Sequence, residues 1–210
     1  DIKDDDPAVM IYTSGLTGKP LGAVLTQKNL LTQSELLKVV CGTTDEDHGL
    51  SLIPLFHSFG AVVNMLCTIR VGASIVLMDH YSMNIIFSTI EKEKITYIAA
   101  VPQLFMGMFA HIKEENHHFP TLKLCISGGA AMPPDFFPRF EEKFGIKIME
   151  GYGLTEASPV CSFTRPYMAH KPGSIGTVVP GVEAARVVND DGQELPAGAT
   201  GELIIRGAMS

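Results

Sequence analysis

Two periodicities alternate along the chain. Short apolar runs at 8–12, 50–53, 73–78, 95–101, 122–127 and 146–149 are dominated by apolar, often β-branched residues and read as strands. Between them, apolar positions recur three and four apart. Thr26 is placed to cap a helix over 27–40, with Gly42 as its stop, and another helix ends near Gly72. Ser82 caps a stretch carrying Ile85, Ile86, Phe87 and Ile90, and Pro102 opens one rich in Met and Phe. Phe136, Phe140 and Phe144 recur at every fourth position ahead of Gly145, a stripe that a helix turns toward a core. Strands alternating with helices predict an α/β fold with a mostly parallel sheet flanked by helices. After about Pro180 the pattern changes. Runs at 182–188 and 202–206, with a turn at Asp190-Asp191-Gly192 between them, predict antiparallel strands without helices. The expected organisation is an α/β unit over 1–180, followed over 181–210 by the start of an antiparallel β subdomain.

Composition narrows the function. Of 210 residues, 46% are hydrophobic and 19% charged, which suits a globular chain and not a disordered one. The net charge of -7, with no Lys/Arg cluster, argues against nucleic acid as a partner. Cys41, Cys67, Cys125 and Cys161 form no Cys-x-x-Cys pair and sit in apolar stretches, as buried free thiols do in a reducing, cytoplasmic setting. His117 and His118 are sequence neighbours and point apart, so no zinc site is expected. Residues 49–69 carry no formal charge and are long enough to span a membrane. Pro54, His57, Ser58, Gly60 and Asn64 interrupt the run, which favours a buried strand, loop and helix. The chain opens on Asp1 without an initiator Met, as an excised piece of a longer protein does.

Three loops of small residues carry the candidate chemistry. In the first, residues 12–22, a strand leads into hydroxyls, glycines and one Lys: Thr13, Ser14, Gly15, Thr17, Gly18 and Lys19. Glycines let backbone N–H groups approach an anion, hydroxyls donate to phosphate oxygens, and Lys supplies charge. The loop is not a Walker A motif, because Pro20 stands where that pattern has Ser or Thr. A plain surface turn reads equally well. The second loop is Ser127-Gly128-Gly129-Ala130. The third is Glu150-Gly151-Tyr152-Gly153-Leu154-Thr155-Glu156, where Glu156 takes the place of the third glycine of a dinucleotide fingerprint. A carboxylate beside phosphate is repulsive unless a cation lies between them. In an open parallel sheet ligands bind beyond the carboxyl ends of strands, so three such loops after three strands predict one crevice for a nucleotide.

These loops, the segment Pro54-Leu55-Phe56-His57-Ser58-Phe59-Gly60, and the shorter Gly173-Ser174-Ile175-Gly176 and Gly201-Glu202-Leu203 occur in order. Together they resemble the acyl-adenylate-forming superfamily, and most of all its long- or medium-chain fatty acyl-CoA synthetases. The resemblance covers nearly the whole chain. It implies a ligase that joins a fatty or other carboxylic acid to the α-phosphate of ATP with Mg²⁺, then passes the acyl group to CoA. It also implies roles. Thr13, Ser14, Gly15, Thr17, Gly18 and Lys19 would lie over the β- and γ-phosphates. Gly128, Gly129 and Ala130 would line the adenine and acyl pocket, with Glu150, Gly151 and Gly153 beside the nucleotide. Tyr152 would stack on adenine, Thr155 would contact phosphate, Glu156 would bind the metal, and His57 would stand near the acyl and pantetheine channel. Lys19, Thr155 and Glu156 are the catalytic candidates. The physics agrees, since such transfers are governed by placement and charge neutralisation.

Three positions depart from the family pattern. Leu16 stands where Ser or Thr is usual, Leu21 where Lys is usual, and Gln27 where long-chain members commonly have His. Two further readings therefore stay open: a nucleotide- or acyl-binding module without turnover, and an adenylating enzyme that hands its acyl group to a carrier protein. The resemblance also leaves open a peripheral membrane association of the full-length enzyme, and implies that the 210-residue piece alone is inactive.

Overall fold

Parallel pairing organises the centre of the molecule. The computed structural model describes residues 1–15, 18–114, 117–169 and 171–209. A hairpin of β1 (Pro7–Thr13) and β2 (Leu21–Thr26) comes first. The main strands follow: β3 (His48–Ser51), β4 (Ser74–Leu77), β5 (Tyr97–Ala100), β6 (Leu124–Ser127), β7 (Ile148–Gly153), β8 (Val160–Phe163) and β9 (Thr177–Val178). They form one sheet in the order β4-β3-β5-β6-β7-β8-β9, parallel from β4 to β7 and antiparallel through β8 and β9. A second hairpin, β10 (Val182–Val188) with β11 (Glu202–Gly207), closes the described chain. The expected α/β class holds.

Local signals explain the helices. α1 (Gln27–Ser34) begins in a capping box: Asn29 N–H donates to Thr26 Oγ1, and Thr26 N–H donates to Asn29 Oδ1. The helix expected over 27–40 is not uniform. The α-helix ends at Ser34, and a π-helical turn, Leu37–Cys41, completes it before Gly42 stops it at φ 70. That left-handed conformation is one that glycine alone adopts cheaply. A π-helical segment, Phe59–Leu66, runs into α2 (Cys67–Val71). The uncharged stretch 49–69 is thus strand, loop and helix as expected, and no described helix is long and apolar enough to cross a membrane. Ser82 caps α3 (Met83–Lys92) by accepting from Ile85 N–H; α4 (Pro102–His111) and α5 (Phe136–Phe144) follow.

Strand alternation sends side chains to two cores. On one face Ile86, Ile90, Phe105, Phe137, Phe140 and Phe144 of α3, α4 and α5 pack on Leu50, Ile98, Cys125 and Ile148. The Phe stripe is core, each ring contributing about 1.5–3 kcal/mol of burial. On the other face Leu36, Leu37, Val40, Val62, Val63 and Cys67 pack on Tyr97, Ala99, Ile126 and Met149. The four cysteines are free. Burial holds Cys41 and Cys67 up at about 12 and Cys161 at about 11, so the thiols stay neutral.

The amino ends of the strands are tied by Asp47. Thr96 Oγ1 donates to its carboxylate at 2.7 Å, Thr44 N–H donates at 2.9 Å, and Lys123 Nζ lies at 2.8 Å. Burial alone would raise Asp47, but Lys123, the Thr44 N–H and the Thr96 hydroxyl outweigh it and hold the carboxyl below the usual range.

Three sequence expectations need correction. β1 is not a strand of the parallel sheet; it pairs antiparallel with β2, a strand that was not expected. β7 runs on to Gly153 because its last residues pair with β8, so Glu150 to Gly153 belong to a strand and not to a loop after it. The sheet also takes in β8 and β9, neither of which was expected.

Candidate active site

Where β6 and β7 end, the helix α1 side of the sheet opens into a cavity of about 170 Å³. Leu36, Leu37 and Val40 form one wall; Val63, Ile126 and Phe163 are among those facing it. Spacings of one, three and four residues put the first three on one face of the α1–π segment, so the wall follows from helical geometry. None of the described lining residues is Asp, Glu, Lys or Arg. Hydroxyl and imidazole groups also line the cavity: His57 and Tyr152 are exposed at its mouth, Thr155 is half-buried, and Ser58 and Ser127 are buried.

The mouth is organised by hydrogen bonds. Ser58 and Thr155 hydroxyls meet at 3.2 Å, joining the loop before the Phe59–Leu66 segment to a 3-10 turn, Thr155–Ala157. Phe59 N–H donates to His57 Nδ1 at 3.1 Å, so a neutral His57 carries its proton on Nε2. The ring is exposed. Gly153 holds β7 against β8, because a Cβ there would stand 1.7 Å from the Pro159 carbonyl oxygen. Any side chain at 153 would force the strands apart and shift Tyr152 and Thr155 with them.

The structure brings together seven of the expected residues. His57, Gly128, Gly129, Gly151, Tyr152, Gly153 and Thr155 all line the cavity. Ala130 is exposed next to it. Glu150 does not line it: alternation along β7 puts it on the Ile148 face. There burial raises the Glu150 carboxyl above its ordinary range, partly offset by a hydrogen bond from the Met132 N–H. Glu156 is exposed on the 3-10 turn. Among the described residues no three His, Cys, Asp or Glu converge as a metal cage. A Mg²⁺ held by Glu156 and nucleotide phosphates fits this single carboxylate, since Mg²⁺ takes one or two carboxylates and keeps several waters.

The first loop stands apart. Thr13, Ser14, Gly15, Gly18 and Lys19 sit at the tip of the β1–β2 hairpin and do not line the cavity, so two of the three loops share the crevice and the third does not. Leu16 and Thr17 lie outside the described residues. β2 packs beside the Thr155–Ala157 turn, which carries the hairpin close to the mouth. Leu21 is 57% exposed and does not tuck into the surface. Sequence reading missed the aliphatic walls and the pairing of Ser58 with Thr155. The spacing of 36, 37 and 40 was the available signal, and it reads equally as core.

The family model of AMP-binding enzymes matches residues 1–210. A long-chain-fatty-acid–CoA ligase of Bacillus subtilis (strain 168) is 32% identical over 206 residues, covering 97% of this chain and 37% of the relative. A 4-coumarate–CoA ligase-like 9 of Arabidopsis thaliana is 33% identical over 213 residues, covering 99% of this chain and 38% of the relative. The chain therefore spans less than two fifths of the length of these curated relatives. Among solved structures, apo MatB from Rhodopseudomonas palustris superposes with a TM-score of 0.90 at 27% identity, over 100% of this chain and 41% of that one. O-succinylbenzoate coenzyme A synthetase (MenE) from Bacillus subtilis, in complex with ATP and magnesium ion, gives 0.87 at 26% identity, over 99% and 42%. With the motifs, the fold and the cavity at the strand ends in agreement, the chain belongs to the AMP-binding enzyme family.

Proposed function

We propose that, in the intact protein, this chain carries the acid and nucleotide sites of an ATP-dependent acid–CoA ligase. A carboxylate attacks the α-phosphate of ATP, giving acyl-AMP and pyrophosphate; the CoA thiol then takes the acyl group and releases AMP. The observation that carries this reading is the uncharged, largely apolar cavity between the Gly128-Gly129 turn after β6 and the glycine-rich end of β7. It suits an acyl group without charge, fatty or aryl, held between Leu37, Val40, Ile126 and Phe163.

Each residue has a physical part. His57 Nε2–H is free to donate to the acid's carboxylate at the mouth. The Tyr152 ring offers a flat face for adenine beside Gly128 and Gly129, and Thr155 a hydroxyl for phosphate. Thr13, Ser14, Gly15, Thr17, Gly18 and Lys19 serve the β- and γ-phosphates from the hairpin. Mg²⁺, when bound through Glu156, neutralises phosphate charge. Residues 1–180 form the α/β unit of this site, and 181–210 begin a second, β subdomain. A cytoplasmic setting is supported by the unpaired thiols.

One observation favours a second reading, a binding module without turnover: the hairpin tip lies outside the cavity lining, and its Leu21, 57% exposed, offers phosphate no charge. ATP–pyrophosphate exchange in the intact protein, over a panel of apolar acids, separates the two. Acid-dependent exchange supports the ligase, and binding of acid or ATP without exchange supports the module. AMP release that needs CoA then separates a CoA ligase from an enzyme that loads a carrier protein.

A further inference from the structure

The segment 36–41, which continues helix α1, and strand β8 both line the cavity, and one side chain of α1 is bonded to β8. Gln33 is 1% exposed. Its Nε2 donates to the Val160 carbonyl at 3.0 Å, and the Val160 N–H donates back to its Oε1 at 3.3 Å. An amide that both donates to and accepts from one residue's backbone does what a partner strand does in an antiparallel ladder. Gln33 thereby fastens α1 to the first residue of β8, and Val160 itself lines the cavity. The Gln33 carbonyl in turn accepts the Cys67 Sγ–H at 3.2 Å, which ties the same turn of α1 to α2.

Position matters as much as bonding. Leu36, Leu37 and Val40 lie three, four and seven residues after Gln33, on its own helix face. The wall residues and the clamp are one stripe, so a shift of the clamp moves the wall. The packing of Leu36, Leu37 and Val40 against the sheet is apolar and non-directional, and it tolerates small displacements. The amide is directional and does not. Resting on the acid–ligase reading, we propose that Gln33 is a specificity-determining positioning residue: its double hydrogen bond to Val160 sets the width of the acyl cavity and so the size of acid accepted.

The test uses the intact protein. ATP–pyrophosphate exchange is measured for wild type, Gln33→Glu and Gln33→Met with straight-chain acids from acetate to dodecanoate and with benzoate. Gln33→Glu still accepts the Val160 N–H but, when ionised, has no hydrogen for the Val160 carbonyl. Gln33→Met keeps the volume and loses both bonds. The ratio of kcat/KM between the best acid and its next homologue should fall by about tenfold in Gln33→Met, the size of one misplaced methylene in an apolar pocket. It should fall less in Gln33→Glu, with the KM for ATP unchanged in both. A common fall across all acids with the ratio preserved makes Gln33 a structural residue and overturns the proposal. Loss of folding in both variants also overturns it, because a gauge between walls that already pack is not needed for the fold. A wild-type protein silent with every acid removes the ligase reading instead; acid selectivity is then read from calorimetric binding of the same series.

Discussion

The cavity at the ends of β6 and β7 is walled by side chains fixed in the core, whereas the tip of the β1–β2 hairpin is held by two strands and otherwise meets solvent. Leu37 and Ile126, in the cavity walls, are 1% and 2% exposed; Tyr12 and Leu21, at the hairpin end, are 70% and 57% exposed. A close-packed wall fixes what fits before any ligand arrives. An exposed hydroxyl or Lys gains from a phosphate only what exceeds its hydration. The two regions therefore predict different consequences of mutation: changes around the cavity alter stability or acid preference, and changes at the hairpin tip alter turnover alone.

The largest expected effect lies where cavity and fold coincide. Gly153→Ala drives a Cβ into the Pro159 carbonyl and should cost about 3 kcal/mol, as strong overpacking does. Urea unfolding of the chain measures it, and wild-type stability would show that β7 and β8 separate freely. The hairpin should behave oppositely. Lys19→Ala in the intact protein should slow ATP–pyrophosphate exchange by roughly 10- to 150-fold, the value of one charge-assisted contact felt in the transition state. Its melting temperature should not move, and Leu21→Lys should raise exchange. A silent Lys19→Ala together with a silent Leu21→Lys would remove the hairpin from phosphate handling.

A narrower effect separates the acid from the nucleotide. Val40→Phe fills the cavity from the α1 side and should raise the KM for the acid by about tenfold while leaving that for ATP alone. Equal increases in both would mean that the cavity is not the acid's own site.

The smallest effects concern pH, and they differ in sign at the two ends of the sheet. Asp47 has a lowered carboxyl, so its stabilisation is complete above the ordinary Asp value of about 3.9 and is lost as pH falls through the folded value. Asp47→Asn should flatten that acid limb. Glu150 has a raised carboxyl, so the folded state binds more protons than the unfolded one in the window above the ordinary Glu value of about 4.3. Stability should fall as pH rises through that window, and Glu150→Gln should abolish the slope. Urea midpoints across pH read both, and a slope unchanged in Glu150→Gln would contradict the assignment.

The same contrast explains what could be read from sequence. Caps at Thr26 and Ser82, the stop at Gly42 and the Phe stripe of α5 are local signals, and each fell where expected. β2 was missed because Gly22 and the preceding turn residues mask a strand whose pairing with β1 is tertiary. β8 has four residues between Pro159 and Thr164, without the longer apolar run that marked the equally short β5 and β6. In the site, the loops around Gly128 and Tyr152 were visible because glycines and hydroxyls in that order are rare in a core. The walls were not, because Leu36, Leu37 and Val40 have core chemistry and a cavity is defined by what fails to fill it. Gln33 was invisible for a related reason: its partner is the backbone of Val160, and backbone leaves no mark in sequence.

On the proposed reading the apolar cavity receives the acyl group, while Tyr152 and the Gly128-Gly129 turn receive the nucleotide. A crystal structure of the intact protein with a non-hydrolysable acyl-sulfamoyl adenosine tests it most directly. The acyl chain is expected between Val40 and Phe163, with adenine against Tyr152 and the sulfamoyl group near Thr155. An acyl chain bound elsewhere, with the cavity beside Val40 and Phe163 left empty, would rule this reading out.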